Sequence, residues 1–245
     1  MLLDGPSLAA IAAISAGAAV VGGIGGFGTG AILTAALAPL IGIKALIPVM
    51  AVAGAVINGG RFWFYRRHLD RRMLALVLAS ALPFLVLGTW IYSILDTRVL
   101  GTVIGIAVIA SVPLRRFLSH RAIHVSGRGL AIGSGFFGLA TGITTGTGVI
   151  LVTLLLGTGL GGPALLATDS LVSIALDLAK AALFQRLSLL NEEAFATGAI
   201  IGVASIPGSA LAAWLVNRMH AHLHIVFIEV LVIAGGASLL WNSWR

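Results

Sequence analysis

Two stretches of glycine and threonine interrupt otherwise apolar sequence, Gly22-Gly-Ile-Gly-Gly-Phe-Gly-Thr-Gly30 and Thr141-Gly-Ile-Thr-Thr-Gly-Thr-Gly148. Glycine permits sharp turns and lets a ligand come close to the backbone. A helix resuming after such a break directs unpaired N–H groups forward, with about half a positive charge at its N-terminus. The chemistry this suits is capture of a small oxyanion. Gly25, Gly26, Gly28, Thr29 and Gly30 form the first half of the candidate cradle, and Thr144, Thr145, Gly146, Thr147 and Gly148 the second, with Thr34 adding a further hydroxyl. The alternative is that small residues merely allow close helix packing; Gly26 and Gly30 have the spacing for it. Gly23-Ile-Gly-Gly-Phe-Gly28 also fits G-x-G-x-x-G, but no acid follows about 20 residues on and the flanks are not βαβ, so a dinucleotide site is excluded.

Ionisable groups inside apolar sequence are the second signal. Asp169, Ser173, Asp177 and Lys180 fall within about 80° of one helix face. Each charge near the middle of a bilayer costs about 3 kcal/mol or more unless paired or hydrated, so the stripe is expected to face the interior. Asp177 and Lys180 are spaced to pair with each other, which would make them a structural ion pair. Asn58 and Arg61 occupy the matching place in the first half of the chain, and Arg61 with Lys180 would supply positive charge to an anion. Arg61 is also near enough to a helix end to snorkel to the interface. Asp169, Asp177 and Glu229 are candidate proton carriers. His220, His222 and His224 alternate in a short connection and have the ligand chemistry of a zinc, nickel or copper site. Gly133-Ser-Gly135 contains a candidate nucleophile in Ser134, but such chemistry needs a buried histidine beside it, and all six histidines lie in connections.

The elements that must position these groups are membrane helices. Of 245 residues 59% are hydrophobic and 9% charged, against about 25% charged in soluble domains. Apolar segments run over 8–40, 45–60, 73–94, 99–113, 130–156, 163–184, 194–216 and 225–241, most of them near the roughly 20 residues a span requires. The expectation is an all-α polytopic membrane protein. The N-terminus carries Asp4 where a secretory signal would be basic, so the first segment is taken as mature protein. Absence of cysteine excludes thiolate metal sites and disulfides. The net charge of +7 is concentrated in two inter-helix segments: Arg61, Arg66, Arg67, Arg71 and Arg72, then Arg115, Arg116, Arg121 and Arg128. They act as topology signals rather than a nucleic-acid surface and place 61–72 and 114–128 in the cytoplasm.

The halves match. Gly28-Thr-Gly-Ala-Ile-Leu33 corresponds to Gly146-Thr-Gly-Val-Ile-Leu151 at an offset of 118, Asn58 and Arg61 to Asp177 and Lys180 at 119, and Pro83 and Trp90 to Pro207 and Trp214 at 124. One transmembrane domain, 1–245, is thus expected to hold two tandem repeats, 1–120 and 121–245, each with a glycine-broken segment and three transmembrane helices. Sites in such proteins lie where repeats meet. Eight crossings would make the repeats parallel; two hairpins with six crossings would make them inverted. Inversion is favoured because it places Asn191-Glu-Glu193 outside and the loop with Arg218 and the three histidines inside.

With these features the sequence resembles the sulfite exporter family TauE/SafE over nearly its full length. The resemblance is carried by Gly28-Thr-Gly-Ala-Ile-Leu33, by Gly138-Leu-Ala-Thr-Gly-Ile-Thr-Thr-Gly-Thr-Gly-Val-Ile-Leu151 with Ala167-Thr-Asp-Ser-Leu171, and by Pro207-Gly-Ser-Ala-Leu-Ala-Ala-Trp-Leu-Val-Asn-Arg218. It implies a bacterial inner-membrane transporter of sulfur-containing anions such as sulfite, sulfoacetate or other organosulfonates, usually in the export direction. Thr144-Thr145 stands where the family commonly has a glycine run. The expected partners are a small anion and the lipid bilayer, with no nucleic acid and no cofactor; homo-oligomerisation stays open. The competing readings are a metal or cation carrier using Asp169, Asp177 and the histidines, a non-transporting membrane scaffold, and an intramembrane enzyme built on Ser134.

Overall fold

The computed structural model describes residues 5–24, 29–119 and 124–216, with 233–234, 236–238, 240–241 and 244. The described chain is helical and contains no strand. Its elements are α1 (Gly5–Ile24), α2 (Thr29–Ile41), α3 (Ile43–Tyr65), a 3-10 turn (Arg66–His68), α4 (Arg71–Ile94), α5 (Thr97–Ser119), α6 (Gly127–Ile143), α7 (Gly148–Gly157), α8 (Gly162–Arg186) and α9 (Glu192–Val216). Among the described residues five stretches are long and apolar enough to cross a bilayer: Ile43–His68, Arg71–Ile94, Thr97–Leu114, Gly162–Arg186 and Glu192–Leu211. The chain is therefore an all-α polytopic membrane protein. Most of the last apolar segment, 225–241, lies outside the described residues.

Local chemistry sets the helix ends. Asp70 caps α4, its carboxylate accepting the N–H groups of Arg72 and Met73, each at 3.0 Å. Ser126 caps α6 by accepting the N–H of Gly129 at 3.2 Å. Gly42, at φ 84°, separates α2 from α3 in the left-handed region that other residues avoid. Pro39, Pro48, Pro83, Pro113 and Pro207 sit inside helices, as membrane helices tolerate when neighbours satisfy the freed carbonyls.

Packing follows the small residues. Helix α4 lies along α6, α1 along α9, and α3 against both α8 and α9. On the α4/α6 seam Gly138 faces Ala81, while Gly142 faces Leu85, Gly88 and Thr89, so the two helices run in the same direction. The backbones are in contact there: a methyl group at Gly142 would lie 2.6 Å from the Leu85 carbonyl oxygen and 2.7 Å from the Thr89 nitrogen. Because the obstruction is main chain, the helices themselves would have to separate. Gly142→Ala is expected to cost about 1–3 kcal/mol by overpacking, read as a lower unfolding midpoint in detergent, whereas Gly148→Ala, with open space around it, should cost much less.

Helices α3 and α8 run in opposite directions, since Gly54 and Asn58 meet Asp177 whereas Arg61 meets Asp169. The broken segment at 141–148 is a helical hairpin. Gly133 of α6 faces Leu154 of α7, and the Val125 N–H donates to the Gly157 carbonyl at 2.8 Å, so α7 returns to the end at which α6 began. The Asp70 N–H donates to the Thr168 hydroxyl at 3.2 Å. The Arg66–Asp70 turn and the starts of α4, α6 and α8 therefore share one end of the bundle.

Candidate functional site

The two glycine breaks meet. A methyl group at Gly30, in the first turn of α2, would lie 3.7 Å from the Gly146 nitrogen, and one at Gly146 would lie 3.2 Å from the Ala31 side chain. Gly146 has φ 78°, a backbone conformation that favours glycine, and its contact with α2 leaves little room for a side chain. The hydroxyls of Thr34 and Thr145 close this junction at 2.5 Å.

Proton counting defines what the threonines can do. The Thr34 hydroxyl donates its one hydrogen to the Gly30 carbonyl at 2.7 Å, since a carbonyl can only accept. Thr145 must then donate to Thr34. Likewise Thr141 donates to the Phe137 carbonyl at 2.7 Å, so Thr147, 2.7 Å from Thr141, donates to it. All four hydroxyl hydrogens are used inside the hairpin and its contact with α2. The donors left at the break are main-chain N–H groups and the Thr144 hydroxyl, which makes only a long contact of 3.5 Å to the Thr145 carbonyl. Thr147 gives α7 no side-chain cap, Ile150 N–H bonds to Thr147 O at 2.9 Å, and the N–H groups of Gly148 and Val149 find no backbone acceptor among the described residues. The expectation that threonines donate directly to a ligand is thus narrowed: Thr145 and Thr147 must turn from their present acceptors to do so.

Lys180 enters the same break from α8. It is 1% exposed, and its ammonium donates to the carbonyls of Thr141 at 2.5 Å and Thr144 at 2.9 Å. These belong to the C-terminal turn of α6, where carbonyls lack helical partners and the helix end is negative. The cation thus seals the end of one helix beside the start of the next. Its i, i+3 neighbour Asp177 is not its ion-pair partner. Asp177 instead turns toward α3, facing Gly54, and accepts from the Asn58 amide at 3.5 Å. Asn58 in turn accepts from Arg61 at 2.7 Å, and Arg61 lies 3.3 Å from Asp169. A polar ladder, Asp177 to Asn58 to Arg61 to Asp169, crosses the α3/α8 seam. Ser173 lies half-buried on α8 between the two acids.

The structure therefore brings together Thr29, Gly30, Thr144, Thr145, Gly146, Thr147, Gly148 and Lys180 around the breaks, and Asn58, Arg61, Asp169, Ser173 and Asp177 along the adjoining seam. Gly25, Gly26, Gly28 and Glu229 lie outside the described residues, as do His220, His222 and His224. Ser134 is fully buried, and its hydroxyl has no partner among the described residues. Among the described residues no group of three metal-ligating side chains is found. Thr141 was missed by sequence reasoning; its place at the edge of the break was visible, but its role as lysine acceptor is main-chain and leaves no side-chain signature.

Comparison with curated proteins and with solved structures finds no match. The family model described as sulfite exporter TauE/SafE matches residues 10–239, nearly the whole chain. A membrane-helix bundle whose two breaks meet over a buried lysine is in keeping with transport of a sulfite-type anion, and on the extent of that match the chain belongs to the sulfite exporter TauE/SafE family.

Proposed function

We propose that this protein is a secondary transporter that exports a small sulfur-containing oxyanion, sulfite or an organosulfonate such as sulfoacetate, across the bacterial inner membrane, and that it is not an enzyme. The observation that carries the reading is the junction of the two breaks, Gly30 against Gly146, with Lys180 buried behind it. The open N–H groups at the start of α7 are the anion donors, joined by Thr145 and Thr147 once their hydroxyls turn. Thr29 and Gly30 supply the other wall.

The repeats are inverted in this reading. Exchanging the halves exchanges α4/α6 for α9/α1 and maps α3/α8 onto itself, which the helix pairing supports. An antiparallel self-paired couple requires an axis across the helices rather than along them, and Asn58 beside its own counterpart Asp177 marks that axis. The arginine-rich end with 66–72 then faces the cytoplasm. Arg61 is already neutralised by Asp169, so Asp177, held by Asn58, is the better proton-coupling candidate of the two acids.

Proteoliposomes loaded with labelled sulfite or sulfoacetate test the proposal. Release several-fold faster than from protein-free vesicles is expected for at least one of the two anions. Equal release with and without protein, for both, would sink it.

A further inference from the structure

At the arginine-rich end, the turn between α3 and α4 carries Arg66, Arg67, His68, Arg71 and Arg72, all exposed. The acid among them, Asp70, offsets one charge, but it spends one carboxylate oxygen on the N–H groups of Arg72 and Met73 and makes no ion pair with these arginines. Among the described residues none of these arginines has a carboxylate within ion-pairing distance. Four guanidinium groups are thus concentrated at a helix end beside a single carboxylate, and among the described residues none of them is ion-paired.

One of them is fixed in place. The Arg66 guanidinium lies over the Trp63 ring, 3.8 Å from its centre, and donates to the Trp63 carbonyl at 2.8 Å. A guanidinium has five N–H donors; the stack covers one face and the carbonyl takes one donor, leaving an outward edge free to grip a phosphate with two parallel bonds. Trp63 beneath it is 65% exposed, and the neighbouring Phe64 82%. In a membrane protein such a pair faces the interface, where an indole is well placed at headgroup depth.

We propose that the Trp63–Arg72 turn is a binding site for the headgroup of an anionic phospholipid, with Arg66 on Trp63 as its fixed element and Arg67, Arg71 and Arg72 as the surrounding charge. A phosphodiester at headgroup level meets the guanidinium edge while its acyl chains run down the exposed rings of Trp63 and Phe64. A free phosphate offers the first contact and not the second, so the lipid is the occupant. The proposal stands on this turn alone and does not depend on which anion is transported.

The test is thermal unfolding of the protein in neutral detergent with added phosphatidylglycerol, phosphatidylcholine or inorganic phosphate. Phosphatidylglycerol is expected to raise the unfolding midpoint, and the other two to leave it unchanged. Because these charges also set topology, the informative variants keep charge: Arg66→Lys, which loses the flat fork, and Trp63→Leu, which loses the stack. Each is expected to lose at least half of the phosphatidylglycerol shift. No shift in the unaltered protein, an equal shift with inorganic phosphate, or a full shift retained in both variants would each overturn the site; the last would leave only diffuse attraction between basic surface and anionic lipid.

Discussion

Replacing Lys180 by methionine is expected to abolish anion release from proteoliposomes and to lower the unfolding midpoint, although methionine fills nearly the same volume. The ammonium makes two charge-assisted hydrogen bonds to main-chain carbonyls in a site with 1% exposure. Such bonds contribute about 1.5–3 kcal/mol each, and carbonyls left buried without a donor cost a further 1–3 kcal/mol apiece. Taking only the lower bond value for both gives about 3 kcal/mol, more than a hundredfold in the population of the intact break at about 1.4 kcal/mol per decade. The two consequences separate the roles of the lysine. A side chain that only attracted the anion would, on removal, weaken apparent affinity and leave stability unchanged. A side chain that holds the end of α6 beside the start of α7 loses both together. Unimpaired release by Lys180→Met would show that neither role is needed; Lys180→Arg, whose planar fork cannot place two donors as the ammonium does, is expected to be intermediate.

That the groups around Lys180 could be found from sequence at all follows from the bilayer. Hydrocarbon forces every main-chain polar group to be satisfied within the protein, so a glycine break in apolar sequence is costly, and the same break at an offset of 118 marks a place worth inspecting. The spans at 73–94 and 163–184 were legible for the same reason, and appear as α4 and α8. Whether the second break crosses or returns was not legible, because a hairpin and a kinked span have the same hydropathy; Val125 and Gly157, 32 positions apart, settle it through one backbone bond. Which acid pairs with which cation was not legible for a different reason. Asp177 and Lys180 are neighbours on one helix, which is all a sequence can show, whereas the partner Arg61 takes is set by the sliding register of α3 on α8. The threonines were visible as hydroxyls, but not the direction of their hydrogens, which depends on the carbonyls of Gly30 and Phe137.

Breaking the Arg61 and Asp169 pair is expected to give unequal costs from its two ends. The Arg61 side chain is 37% exposed and that of Asp169 only 4%. Arg61→Met leaves a carboxylate with no cation in a buried site, where removing one partner typically costs about 3–5 kcal/mol. Among the described residues one oxygen of Asp169 already lacks a hydrogen-bond partner. Asp169→Asn leaves a guanidinium that can turn to water and still donate to Asn58, and about 1 kcal/mol is the expected loss. The double variant Arg61→Met with Asp169→Asn should regain most of the stability lost by Arg61→Met alone, because no buried charge remains. Unfolding midpoints of the four proteins in detergent form the cycle; equal costs for the two single variants would mean that Asp169 is hydrated and the seam open. The inequality also bears on transport. Under the repeat correspondence Arg61 matches Lys180 while Asp169 matches Met50, so the ion pair has no counterpart and ties α3 to α8 at the arginine-rich end only. On the proposed inverted-repeat reading, a scaffold latched at one end has two unlike faces. If that latch must open for the anion to enter from the arginine-rich side, Asp169→Asn should speed entry from that side more than exit to the other, which vesicles of known orientation can measure.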